Sequence, residues 1–221
     1  MYYTGSGFPR MGRPPAARGA APFERTFTGG ADVAEIHPLI KNRRSFRTFS
    51  GVPPEPEKLE AMLEAFRWAP SSNNRQPWRI IIARSPEAHK KFDECLSEGN
   101  LQWATAAPLK MIILGNPEEQ PERFGQQRWL LEVGLALENL LLQGSHLGLT
   151  VHAMAGWDEP TVLKNFNIPQ PFRVAALFTV GYPGRTEDLH PDVQKKDKAP
   201  PARKPPEEIF FWDTYGGKGK P

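Results

Sequence analysis

Residues 69–79 read APSSNNRQPWR, and they sit between two segments of opposite periodicity. Upstream, EPEKLEAMLEAFRWA places Leu59, Met62, Leu63 and Phe66 on one stripe, the i, i+3, i+4, i+7 spacing of an amphipathic helix. Downstream, RIIIAR is a short apolar run of strand length. A helix must therefore hand over to a buried strand inside these eleven residues. Pro70 and one Asn suffice for that turn. The stretch carries two serines, two asparagines and a glutamine, more hydrogen-bonding side chains than a turn needs.

Outward from this turn, helix and strand patterns alternate. ADVAEIHPLIKNR predicts a short first helix, and a helix from about Pro86 to Gly99 follows the first strand. LKMIILG is a second buried strand. FGQQRWLLEVGLALENLLLQGSHLGL is the longest helical pattern, and from Trp129 to Leu142 its apolar residues occupy nearly every side. Such a helix must be enclosed on all faces; in a chain this small, a second copy is one way to do it. TVHAMAG is a third strand, DEPTVLKNF a short helix and VAALFTVGY a fourth strand, followed by a Pro/Lys-rich tail. No G-x-G-x-x-G or G-x-x-x-x-G-K-[ST] follows a strand, which removes the dinucleotide fingerprint and the P-loop. The fold class is α+β with one central sheet.

The 221 residues allow one sizeable core or at most two small domains. Of the residues, 39% are hydrophobic and 24% charged, while the 24 prolines and 19 glycines cluster toward the ends. Met1–Gly30 holds six Gly, four Pro and four Arg against one acid, a composition that cannot offset its ordering entropy and predicts a disordered tail. A net charge of +3 gives no reason to expect nucleic acid as a partner. The single Cys95 excludes an internal disulfide and reads as a small apolar residue; no metal site is expected. No apolar run reaches the ~20 residues of a bilayer span, so no membrane is expected and a cytoplasmic location is the default.

RRSFRTF sets Arg43, Arg44, Ser45 and Arg47 within five residues, just after a helix. Guanidiniums and a hydroxyl together make a phosphate clamp, because Arg forms paired charge-assisted bonds to oxyanions. A solvated basic helix end accounts for the spacing equally well. In the tail, PPARKPPEEIFFW puts Arg203 and Lys204 ahead of an aromatic finish that needs a groove to pack in. The five histidines show no metal spacing, and Ser71 and Ser72 lack a nucleophile elbow. No side chain is a candidate for a catalytic role of its own, so any difficult chemistry falls to a bound cofactor.

Together, RRSFRTF, APSSNNRQPWR, NLQWATAAP, HAMAGWD, GYPGR and ARKPPEEI resemble, in order and from about Val33 to Trp212, the nitroreductase family of FMN-dependent NAD(P)H oxidoreductases. The resemblance implies a three-layer sandwich around a mainly antiparallel sheet, in an intertwined homodimer with FMN at the interface. It implies residues 1–30 as tail, 31–187 as the FMN-binding domain and 188–221 as an extension wrapped onto the partner. It also implies that Arg43 and Ser45 hold the FMN phosphate, with Arg203 as a further phosphate partner and Arg44 in the same motif.

Arg47 matches the basic residue beside the pyrimidine edge of the flavin, where a cation stabilises the anionic reduced ring. Pro70, Ser71, Ser72, Asn74 and Gln76 match the turn that lines the flavin held mainly by the other subunit. Asn100 matches an asparagine on the ring's polar edge. Ala155 and Gly156 match the strand-end turn whose backbone N–H groups approach N5 and O4, although many relatives have Pro-Ile followed by Gly or Glu near there. Phe124 and Met154 are candidates for the substrate face, and Trp103 for that face or, rather more, for the core. The implied reaction is a ping-pong transfer of hydride from NADH or NADPH through flavin N5 to a small-molecule acceptor such as a nitroaromatic or quinone. The alternatives are a dehalogenase-like or flavin-modifying branch and a non-catalytic FMN-binding sensor or carrier.

Overall fold

The computed structural model describes residues 35–219. The tail predicted for Met1–Gly30, and the start of the predicted first helix, lie outside them. Among the described residues, α1 (Pro38–Asn42) leads into an extended segment, then α2 (Pro56–Arg67). Pro38 and Pro56 both stand in the first turn of their helices, where the missing N–H costs nothing. Next come β1 (Trp78–Ala83), α3 (Pro86–Asp93), α4 (Glu98–Ala104) and β2 (Leu109–Gly115). The chain continues through α5 (Arg128–His146), β3 (Thr150–Met154), α6 (Glu159–Asn165), β4 (Arg173–Gly181) and α7 (Pro191–Lys198).

The four strands form one sheet in the order β1-β2-β4-β3, and every pair is antiparallel. β2 is buried along its whole length, and its alternate side chains enter two separate cores. Leu109, Met111 and Ile113 pack with Met62, Phe66, Val133, Ala136 and Leu140 of α2 and α5. Ile112 and Leu114 pack with Phe92, Trp103 and Val162 of α3, α4 and α6. Lys110 is also fully buried on β2; its ammonium pairs with Asp93 Oδ1 at 2.5 Å. Where α5 crosses β3, Gly144 leaves room for Val151 and Met62; a Cβ there would overlap Val151 Cγ2 and lie 3.1 Å from Met62 Cε.

Three sequence expectations change. The helix predicted from Pro86 to Gly99 is two, broken at Leu96, whose backbone bridges Trp157 while Ser97 donates its N–H to Gly156 O. The segment read as part of the Pro/Lys-rich tail contains α7, with His190 Nδ1 accepting from the Asp192 N–H at its start. Its one buried apolar residue, Val193, is too little to make a periodic signal. The long helix α5 is not enclosed on all faces by its own chain: Leu130, Leu131 and Leu135 stay exposed. Cys95 is buried, as its reading as a small apolar residue requires, and burial pushes its thiol up to about 11.

Candidate functional site

The three arginines of RRSFRTF have three different environments. Arg43 ends α1 with its N–H on Leu39 O, and its Nη1 donates to Ser45 Oγ at 3.2 Å. Its one carboxylate neighbour among the described residues, Glu138 of α5, is at 3.9 Å and half exposed, so the guanidinium is weakly held. Arg44 turns toward the end of α7, donating to Ala199 O at 2.7 Å and Asp197 O at 3.5 Å. Arg47 donates its backbone N–H to Asp197 Oδ2 at 2.7 Å and its Nη1 to Asp197 Oδ1 at 2.8 Å.

An aromatic layer joins this segment to β3 and α4. The Arg47 guanidinium lies 5.9 Å from the Trp103 ring, and Trp103 is 4.3 Å from the ring of His152 on β3. His152 Nδ1 lies 3.0 Å from Phe46 O; a carbonyl only accepts, so the Nδ1–H tautomer donates. Burial first, and then the Arg47 charge, push the imidazole down to about 4, so it is neutral near pH 7. Two residues after β3, Gly156 O accepts from Asn100 Nδ2 at 3.0 Å. A Cβ on Gly156 would overlap Ser97 Oγ and sit 2.9 Å from Asn100 Nδ2, so this approach requires glycine. Asn100 Oδ1 has no partner among the described residues.

The polar turn is held from α5. Ser72–Asn74 forms one 3-10 turn, and Asn73, Asn74 and Gln76 all have φ between 50° and 55°. Asn adopts that left-handed region more readily than most residues. The Gln76 N–H donates to Ser71 Oγ at 3.0 Å, and Gln76 Nε2 to Asn74 Oδ1 at 2.9 Å. Glu132, buried on α5, accepts the Ser72 N–H at 2.9 Å and Gln120 Nε2 at 2.6 Å, both on Oε1. Its Oε2 is buried without a partner.

In this region Arg43 meets Ser45, Arg47 meets Asp197 and Trp103, and Asn100 meets Gly156, with Asn100 and Trp103 both on α4. Pro70, Ser71, Ser72, Asn74 and Gln76 form a separate group; Glu132 and Glu138, which face the two groups, are six residues or about 9 Å apart along α5. Arg203 joins neither: it is exposed and, among the described residues, bonds only to Ala202 O. One substrate-face candidate needs correction: Met154 is buried in the core with Phe92 and Ile112, because strand alternation turns it to the face opposite Ala153. Trp103 takes the core alternative of its reading and packs in the same cluster. Phe124 is 89% exposed, at φ 55° in the loop before α5, and lines a shallow cavity with Arg128 and Leu131. Sequence reasoning missed Glu132, His152 and Asp197. Glu132 left a signal as the lone acid in the apolar start of α5; the other two left none.

Taken by themselves, fold and site define an α+β protein with an antiparallel sheet, whose arginine motif and strand-end turn converge beside α4. The nitroreductase family model matches residues 40–109, from α1 to the first residue of β2. An Archaeoglobus fulgidus protein with the provisional name NADH dehydrogenase/NAD(P)H nitroreductase is 28% identical over 162 residues, 72% of this chain and 91% of its own length. A Streptomyces coelicolor protein with the same provisional name is 29% identical over 173 residues, 69% of this chain and 87% of its own.

Among solved structures, one described as an oxidoreductase containing FMN superposes with a TM-score of 0.75 at 28% identity, covering 85% of this chain and 96% of its own. A nitroreductase family protein from Clostridium difficile gives a TM-score of 0.67 at 25% identity, over 80% and 96% of the two chains. The chain thus resembles nitroreductase-family proteins, through the family model over residues 40–109 and through a shared fold.

Proposed function

We propose that this chain is an FMN-dependent oxidoreductase that uses NADH or NADPH, and the Arg43–Ser45 pair carries the reading. A half-buried guanidinium that already meets a hydroxyl, with only a distant carboxylate to hold it, is a donor set suited to a phosphate. The other donors fit the rest of the cofactor. Asn100, fixed by Gly156 O, offers its free oxygen to the N–H on the ring's polar edge. Gly156 packs against Ser97 and Asn100 where a Cβ would clash, and Ala155 beside it is exposed, so its backbone is open to a ring. Ser72 Oγ has no partner among the described residues and is free to meet a ligand. Arg44 is occupied in seating α7 and serves the phosphate indirectly.

When bound, FMN would supply two-electron transfer, accepting hydride from NAD(P)H at N5 and passing it to a nitroaromatic, quinone or similar acceptor in a second, separate encounter. The chain's part is to bind and orient; no side chain acts as a general base. We take the functional unit to be an intertwined homodimer of three-layer subunits. The uncovered Leu131–Leu135 face of α5 and the exposed Ile209, Phe210 and Trp212 of the extension 188–221 support this reading, because each is apolar surface in need of a cover. Arg203, on that extension, then reaches the phosphate across the interface.

The test is the visible spectrum of the purified protein before and after anaerobic addition of NADPH or NADH. A flavin spectrum that bleaches supports the whole reading. A flavin that stays oxidised removes the NAD(P)H half-reaction and leaves an FMN-binding protein. A colourless protein that refuses added FMN overturns the proposal.

A further inference from the structure

We infer that Asp197 sets the charge the arginine motif presents to the flavin, by neutralising Arg47. This rests on the FMN reading above and adds to it a residue from α7. Both oxygens of one carboxylate are spent on one residue: the Arg47 backbone N–H at 2.7 Å and its Nη1 at 2.8 Å. The two ends of the pair are not equally placed. The Asp197 side chain is 1% exposed, whereas that of Arg47 is 25% exposed. The anion is therefore walled off, and the cation is the end open to a ligand.

Asp197 does not owe its position to Arg47 alone. Arg44 holds the carbonyls of Asp197 and Ala199, a cation at the negative end of α7. On the other side of Arg47, the Trp103 ring and the neutral His152 supply no charge at pH 7. Asp197 is thus the only carboxylate bonded to Arg47 among the described residues. A free cation beside the pyrimidine edge stabilises the anionic reduced ring and raises its potential. A buried carboxylate in contact with that cation is poorly screened and cancels most of the effect. Asp197 accordingly holds the flavin at a lower potential than the arginine motif would set by itself, which makes the reduced flavin a stronger donor. It also lies on α7, the helix near the start of the 188–221 extension, so the seat of that extension and the charge at the flavin are coupled.

The experiment uses the FMN-loaded full chain and measures the two-electron midpoint potential anaerobically against a reference dye. Wild type is compared with Asp197→Asn, Arg47→Gln and the double variant Arg47→Gln/Asp197→Asn. Flavin stoichiometry and melting temperature are recorded for each. Asp197→Asn is expected to raise the reduced-to-oxidised ratio at least tenfold, about 30 mV for a two-electron couple. The double variant replaces a net-neutral ion pair by a neutral amide pair and is expected to stay within threefold of wild type.

An unchanged potential in Asp197→Asn, or a tenfold fall in the double variant, overturns the inference, because either would mean that Arg47 acts as an uncompensated cation. Should Asp197→Asn fail to fold or hold flavin, the double variant decides alone. A wild-type chain without FMN overturns the FMN reading itself, and this inference with it.

Discussion

At the scale of single residues, His152 ties three parts of the site together through one ring. It is packed on Trp103, donates to Phe46 O and sits near Arg47. Its pKa lies at about 4 in the fold against an ordinary 6.5. The unfolded chain therefore binds the extra proton between those values, and stability rises with pH across that window. The contribution is complete above about pH 6.5 and falls by roughly 3 kcal/mol as pH drops toward 4. Urea unfolding at pH 7.5, 6 and 4.5 should show this loss in wild type and a smaller one in His152→Gln, which cannot titrate. Equal slopes would show that the ring is not held neutral.

Arg43 makes the second prediction at this scale. Its ion pair is long and its Glu138 end half exposed, so Arg43→Ala should change the melting temperature by no more than ~4 °C, since such pairs contribute at most ~1 kcal/mol. FMN should nevertheless be lost on gel filtration; flavin retained at full stoichiometry would remove Arg43 from the phosphate site.

At the scale of elements, the polar turn cannot hold its own shape, because three of its non-glycine residues are left-handed. Glu132 on α5 supplies the constraint. Glu132→Ala leaves the Ser72 N–H and the Gln120 amide without their acceptor, at about 1–3 kcal/mol each. Glu132→Gln keeps a carbonyl oxygen and should recover most of that loss. The melting temperature should fall by several degrees in the alanine variant, and FMN affinity at least tenfold. A glutamine variant as impaired as the alanine one would mean that the charge, rather than the acceptor, matters.

At the scale of the whole molecule, apolar surface remains where one chain ends. Leu131 is 68% exposed in the first turn of the most apolar helix, and Phe210 and Trp212 stand clear of the core. Leu131→Glu should convert the proposed dimer to monomer in sedimentation and release FMN in the same step. A chain truncated before Ala202 should sediment with weaker association and hold less flavin. An unchanged sedimentation profile with full flavin in the truncated protein would refute the wrapped extension.

Local periodicity carried the elements. The stripe of Leu59, Met62, Leu63 and Phe66, the apolar runs of β1 and β2 and the proline-marked helix starts all record, within a few residues, which face of the chain meets the core. The basic motif and the polar turn were legible for the same reason, since their donors are consecutive. What the arginines do with those donors was not legible. Arg47 is committed to Asp197, 150 residues away, and Glu132 bonds a backbone 60 residues before it. Met154 looks like a pocket residue in sequence and is a core residue in space. Burial and pairing at such separations depend on how strands and helices stack. A local pattern specifies only that a side chain is apolar or charged, and tertiary packing decides which partner it meets.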